Sequence, residues 1–283
     1  MATARSPMHR ADTTKALLVG AAVGVVSGLF GIGGGALLIV GLLWIGFTQH
    51  QAHATSLAAM VLTAAAALVP FALAGEVAIE GALVLAPTAM AGAYFGAGLM
   101  RRIPEDRLRV VFAIFLLLIA ARMLVGVDVD PGPGPIGPAA LAGMAALGLA
   151  TGVLSGVLGI GGGLIMIPVL VLVFGFGQHA AEGTSLAVVI PTALMGAARH
   201  TRSGYTDWRR GALLGSAGIL GGLGGANVAL ALDGIALQRM FAVFLILMTL
   251  RLLRKRSPPS SDASGASDEP PDPPDEPPAA PSR

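Results

Sequence analysis

No charged side chain occurs between Ala16 and Phe47, and none between Ala139 and Ala181. About 20 consecutive apolar residues cross the hydrocarbon of a bilayer, so each run is longer than one crossing needs. The rest of the chain agrees. Only 12% of it is charged and 54% is hydrophobic, whereas a soluble domain carries roughly a quarter charged residues. That is too little charge to clothe a water-facing surface, and the expectation is an all-α integral membrane protein. Cysteine is absent, which excludes disulfides, thiolate metal sites and sulfur-relay chemistry. Arg5, Arg10 and Lys15 ahead of the first run have the outline of a signal peptide. The same run recurs in mid-chain, however, so it is read as structure.

The recurrence is a duplication. Gly20-x3-Gly24-x2-Ser27-Gly28-Leu29-Phe30-Gly31-Ile32-Gly33-Gly34-Gly35 is matched by Gly148-x3-Gly152-x2-Ser155-Gly156-Val157-Leu158-Gly159-Ile160-Gly161-Gly162-Gly163, at an offset of 128. One inserted residue later, Gln49-His50-x-Ala52-x-x-Thr55-Ser56-Leu57-Ala58 meets Gln178-His179-x-Ala181-x-x-Thr184-Ser185-Leu186-Ala187. Phe112–Leu116 then aligns with Phe241–Leu245, and Arg122 with Arg251. Each unit divides into four hydrophobic segments, eight in all. The first are 16–46 and 138–175. The others are 53–74, 81–100 and 106–126 in unit one, and 182–199, 210–231 and 236–254 in unit two, each about long enough to span. The organisation is therefore an N-terminal stretch 1–15, repeat one at 16–127, a stiff Pro/Gly connector at 128–137, repeat two at 138–256, and an acidic Pro-rich tail at 257–283. The tail has almost nothing to bury and is expected to be disordered.

Each first segment is too long for one simple span and is glycine-rich at its middle. It is either a spanning helix with an extension or a re-entrant pair of half-helices. Lys and Arg concentrate in cytoplasmic loops. If both first segments are re-entrant, six helices span and the second repeat is inverted relative to the first. Sixteen of the eighteen basic residues then lie inside, leaving only Arg122 and Arg239 outside. If both span, Arg101, Arg102, Arg107 and Arg109 fall outside. The charge favours the re-entrant, inverted arrangement, with both termini in the cytoplasm and the chain in the inner (plasma) membrane. Inverted repeats of this kind belong to secondary transporters, whose site lies near the midplane between repeats. Glycine-rich irregular backbone at that depth points to a watery cavity or a protein-buried turn.

In the two Gly-x-Gly-Gly-Gly clusters and the paired Gln-His-x-Ala-x-x-Thr-Ser motifs, the chain resembles the TauE/SafE (TSUP) sulfite exporter family of membrane transporters. The likeness extends over about residues 16–254. It implies export or uptake of a small sulfur-containing anion (sulfite, sulfoacetate or another sulfonate), coupled to an ion gradient. The alternatives are an anion channel and a membrane assembly or receptor subunit that transports nothing.

An oxyanion in a low-dielectric site needs donors and positive potential, and a helix N-terminus supplies both. Gly33, Gly34 and Gly35, with Gly161, Gly162 and Gly163, are therefore expected to line the anion site; a tight turn joining half-helices is present in either case. Thr55, Ser56, Thr184 and Ser185 offer hydroxyl donors, or cap helices. Gln49 and Gln178 offer amides, or sit in polar loops. His53 aligns with Glu182, and these two are the candidates for proton coupling, since a buried carboxylate can take up and release a proton. Glycines 20, 24 and 28, with 148, 152 and 156, repeat every fourth residue and are read as close helix-packing positions. Arg122 and Arg251 are read as snorkelling to headgroups. Trp44 and the few other aromatics serve as interface anchors. The partners are thus the bilayer and a small anion, with no nucleic acid. No metal-binding, nucleotide-binding or catalytic spacing is present, and neither a cofactor nor an enzyme is expected.

Overall fold

A computed structural model describes residues 10–99, 105–126, 132, 134, 137–158 and 161–254. Residues 1–9, Arg101, Arg102, Gly159, most of the connector and the acidic tail lie outside them. The described residues form ten helices and no strand: α1 (Arg10–Phe30), α2 (Gly35–Trp44), α3 (Gln49–Leu73), α4 (Ile79–Leu99), α5 (Glu105–Leu124), α6 (Pro138–Leu158), α7 (Gly163–Leu172), α8 (Gln178–Thr201), α9 (Trp208–Ala231) and α10 (Gly234–Arg254).

Local sequence accounts for where these helices break. Gly34 and Gly162 stand immediately before α2 and α7 with φ of 78° and 79°. L-residues with a Cβ resist that left-handed conformation, so each first segment is cut here into a long and a short helix. α3 starts on a capping box, with the Thr48 side chain accepting from the Gln51 N–H and the Gln51 side chain accepting in return. Asp207 caps α9 by accepting the Arg210 N–H at 3.1 Å.

Helices α3, α4, α6, α8, α9 and α10 are each long and apolar enough to cross a membrane. The sequence placed α6 inside a half-helix pair, yet its 21 residues rise about 31 Å and suffice for a crossing alone. α5, expected to span, carries Glu105, Asp106, Arg107 and Arg109 at its start, and its apolar helix among the described residues is Ala113–Leu124. α1 and α2 form a hairpin that returns to its starting end, where Lys15 Nζ lies 5.4 Å over the Trp44 ring.

The two units interleave. α1 packs on α9 and α6 on α4, α3 on α9 and α8 on α4, with α3 against α8 and α5 against α10. Exchanging the two units maps this set of neighbours onto itself. Glycine makes the seams close. Gly20, Gly24 and Gly28 abut Leu214, Gly218 and Gly222, so α1 and α9 run in the same direction. Gly148 and Gly152 likewise abut Leu85 and Ala89 of α4. These glycine seams bring backbones together as small residues do in membrane helix pairs. The equivalent helices α3 and α8 run antiparallel, with Gly183 against Phe71 and Gly196 against Leu57.

Candidate functional site

The two glycine turns meet at the centre of the interleaved helices. A Cβ on Gly163 would lie 2.8 Å from Ile32 Cα, so the second turn rests on the backbone of the first. Met60 of α3 reaches both, its Cε facing Gly33 and Gly161, and Val189 of α8, the residue equivalent to Met60, faces Gly33. Gly31, at the end of α1, packs on Glu182, where an added Cβ would lie 2.6 Å from the Glu182 Cβ. Gly33, Gly34, Gly35, Gly161, Gly162 and Gly163 are all buried. The sequence suggested a cavity around these glycines; the structure fills the space beside them with Val23, Met60, Ile32 and Val189. An apolar cleft of about 340 Å³ lies elsewhere, lined by residues such as Ile79, Leu83, Met90 and Ala187, and offers no donor for an anion.

The short helices present their starts to this centre. The Gly34 carbonyl accepts from Leu37 and Leu38 at 3.1 and 2.9 Å, and the Gly162 carbonyl from Ile165 and Met166 at 3.1 and 3.0 Å. The N–H groups of Gly35, Ala36, Gly163 and Leu164 therefore have no acceptor within their own helices, and each start carries the positive end of a helix dipole. Beside them the structure holds something the sequence reading passed over. The hydroxyls of Ser27 and Ser155 are buried and make no hydrogen bond. Ser27 lies next to Gly34, an added Cβ there falling 3.3 Å from the Ser27 Cβ. Ser155 occupies the equivalent position of unit two. The signal was available, because both motifs keep a serine at the same place, one residue before the last glycine of the packing face.

The expected hydroxyl donors divide. Thr55 Oγ1 accepts the backbone N–H of Asp207 at 3.1 Å, and Thr184 Oγ1 that of Ala78 at 2.9 Å. Asp207 and Ala78 are themselves equivalent positions, so each unit's threonine pins the loop that precedes a packing helix of the other unit. Ser56 donates to the His53 carbonyl at 2.8 Å. Ser185 Oγ is buried without a partner, and an added Cβ on Gly163 would lie 3.0 Å from it. The glutamines pair within their helices, four residues along. Gln49 Nε2 lies 3.3 Å from His53 Nε2, and Gln178 Nε2 donates to Glu182 Oε1 at 2.7 Å. The loop reading suits neither, since Gln49 and Gln178 open α3 and α8. Glu182 is fully buried, and so is its Oε2, which has no partner.

A family profile described as Sulfite exporter TauE/SafE matches residues 1–123 and 144–281. Relatives include a Xylella fastidiosa (strain 9a5c) protein described as a "probable membrane transporter protein". It is 30% identical over 218 residues, covering 75% of this chain and 82% of the relative. YdhB of Bacillus subtilis (strain 168), described in the same words, is 29% identical over 196 residues, covering 68% of this chain and 80% of the relative. No solved structure matches the chain significantly. With six helices fit to cross a bilayer, these likenesses make the chain a multi-pass membrane protein.

Proposed function

The chain belongs to the TauE/SafE sulfite exporter family, and from that premise we propose that it is a secondary carrier of a small sulfur-containing anion, sulfite or a sulfonate. One observation carries the assignment to the glycine turns. At the start of the first short helix, a buried serine hydroxyl without a partner lies beside Gly34 and the N–H groups that have no acceptor within their own helix, and Ser155, equally buried and unpartnered, is its counterpart in unit two. An oxyanion supplies the acceptors this arrangement lacks, and the helix dipole favours its charge. Gly33, Gly34 and Gly35, with Gly161, Gly162 and Gly163, let the ligand approach the backbone, and Ser27 and Ser155 add hydroxyl donors. Thr55 and Thr184 hold the site together from its rim. Ser56, Ser185, Gln49 and Gln178 border it, and ion coupling passes through Glu182 or His53.

In this reading the repeats are inverted in the inner membrane, with both termini in the cytoplasm and alternating access across the pseudo-two-fold between the turns. The antiparallel course of α3 and α8 supports the inversion. The return of α2 to the starting end of α1 supports a re-entrant hairpin. The test is uptake of sulfite and sulfonates by proteoliposomes containing the purified protein. We expect accumulation against a gradient that collapses with the ion gradient, and a lower apparent affinity in Ser27→Ala and Ser155→Ala. Flux that never exceeds equilibrium would make the protein a channel, and no flux of any of these anions would remove the transport reading.

A further inference from the structure

The two units carry the same three polar positions along equivalent helices: Gln49, His53 and Ser56 on α3, and Gln178, Glu182 and Ser185 on α8. In unit one they are engaged with one another, Gln49 with the His53 ring and Ser56 with the His53 carbonyl. In unit two Gln178 Nε2 likewise donates to Glu182 Oε1 at 2.7 Å, but three oxygens are left over. Gln178 Oε1, Glu182 Oε2 and Ser185 Oγ are all buried and all lack a hydrogen-bond partner. Successive residues of an α-helix are 100° apart, so these three positions fall within about 60° of one another on α8. The parent residues are 5%, 0% and 0% exposed. Unpaired buried polar groups on this scale need a partner of some kind.

The surroundings define that partner's charge. Glu182 packs against Gly31, the first residue beyond α1. α1 therefore points its C-terminal end, with its unpaired carbonyls and partial negative charge, at a buried carboxylate. No lysine or arginine is among the buried residues of the described chain to offset this. A proton on Glu182 would neutralise the carboxylate and donate to one neighbour. Donated to Gln178 Oε1, it would close a two-bond amide–acid pair with the existing Gln178–Glu182 bond and leave Ser185 Oγ without a partner. A hard monovalent cation ligated by oxygens would draw on the unpaired oxygens along this face of α8 and on carbonyls of the irregular backbone at the glycine turn.

We propose that Gln178, Glu182 and Ser185 of α8, facing Gly31, form a sodium site present in unit two alone. His53 replaces the carboxylate in unit one, and its amide and hydroxyl neighbours are already committed. Binding itself is independent of what the protein transports; only its role as the coupling ion rests on the carrier reading. The site lies beside the second glycine turn through Ser185, close enough for an occupied cation to favour an anion bound at the start of α7.

The experiment uses the full-length protein, purified in choline chloride, with melting temperature followed as sodium, potassium or further choline is added at constant ionic strength and pH. A saturable stabilisation by sodium, absent with the other two, is the expected result. Glu182→Gln and Ser185→Ala should each raise the half-saturating sodium concentration about tenfold or more, while Asn227→Ala, on the exposed face of α9, should leave it unchanged. Equal responses to all three salts would overturn the site. So would a sodium response that survives Glu182→Gln and Ser185→Ala, or a response to pH with none to sodium, which would return Glu182 to a proton site. Should Glu182→Gln fail to fold, the wild-type ion series and Ser185→Ala still decide. Sodium binding in a protein that moves no sulfite would keep this site and discard the carrier.

Discussion

At Gly34 and Gly162 the same left-handed turn is held with different amounts of room. An alanine at either position carries the cost of positive φ, about 1–2 kcal/mol. At Gly34 its Cβ would also come within 2.5 Å of Val23 Cγ1, whereas at Gly162 the nearest atom is Thr151 O at 3.2 Å. Gly75 has a φ of 77° with nothing within 4 Å of its added Cβ, and so isolates the conformational cost. Melting temperatures should therefore fall most in Gly34→Ala, with Gly162→Ala and Gly75→Ala close together; equal losses at all three would show that crowding at the first turn is unimportant. The clamps give a second test at this scale. Thr55→Val and Thr184→Val keep the side-chain shape but leave the Asp207 or Ala78 N–H unpaired, for an expected loss of about 1–3 kcal/mol each. Thermal unfolding should show both losses, and their absence would mean that water takes the threonine's place. These threonines show what the sequence could not reveal. A Thr-Ser pair at a helix start is legible as a cap or a ligand donor, but its true acceptor role depends on a loop more than a hundred residues away.

The helix seams turn on which glycines face a neighbour. A Cβ at Gly24 would overlap the backbone of Gly218, and one at Gly152 that of Ala89. Gly224, on α9, meets nothing within 4 Å. Gly224→Ala should then stabilise by up to about 1 kcal/mol through helix propensity, while Gly24→Ala and Gly152→Ala should separate α1 from α9 and α6 from α4, with lower yield and a lower melting temperature. A Gly152→Ala protein as stable as the parent would show that the α4–α6 seam is not close-packed. Most of this level was readable in advance. The four-residue spacing of glycines marks a packing face, and the hydrophobic lengths mark the segments. The partner of each face was not readable, because spacing along one helix says nothing about which helix it meets. The start of α1 at Arg10 was hidden for another reason: the expected boundary followed the loss of charge after Lys15, whereas the helix backbone runs on through Arg10 and Asp12.

For the molecule as a whole, interleaving predicts that neither unit folds alone. Expressed separately, residues 1–130 and 131–283 should each fail to yield a stable protein, because α1 lacks α9 and α6 lacks α4. Expressed together they should associate, and a stable isolated half would contradict the packing. Orientation is checked by single cysteines in this cysteine-free chain. Glu105→Cys should react with an impermeant thiol reagent only from the cytoplasm, and Val173→Cys, exposed at the end of α7, from the opposite side to Thr48→Cys. The repeat itself and its approximate bounds were legible, since near-identical motifs recur at a constant offset, but the exchange of helices between units leaves no mark in either copy. That exchange decides what could move against what. α1, α3 and α9 run side by side, as do their counterparts α6, α8 and α4. Each trio draws on both halves of the gene. A rocking motion would therefore divide the protein along a line that no cut in the chain reproduces. Spectroscopic labels on α3 and α9, one from each half, should keep their separation through the cycle, while labels on α3 and α4, from the same half, should not.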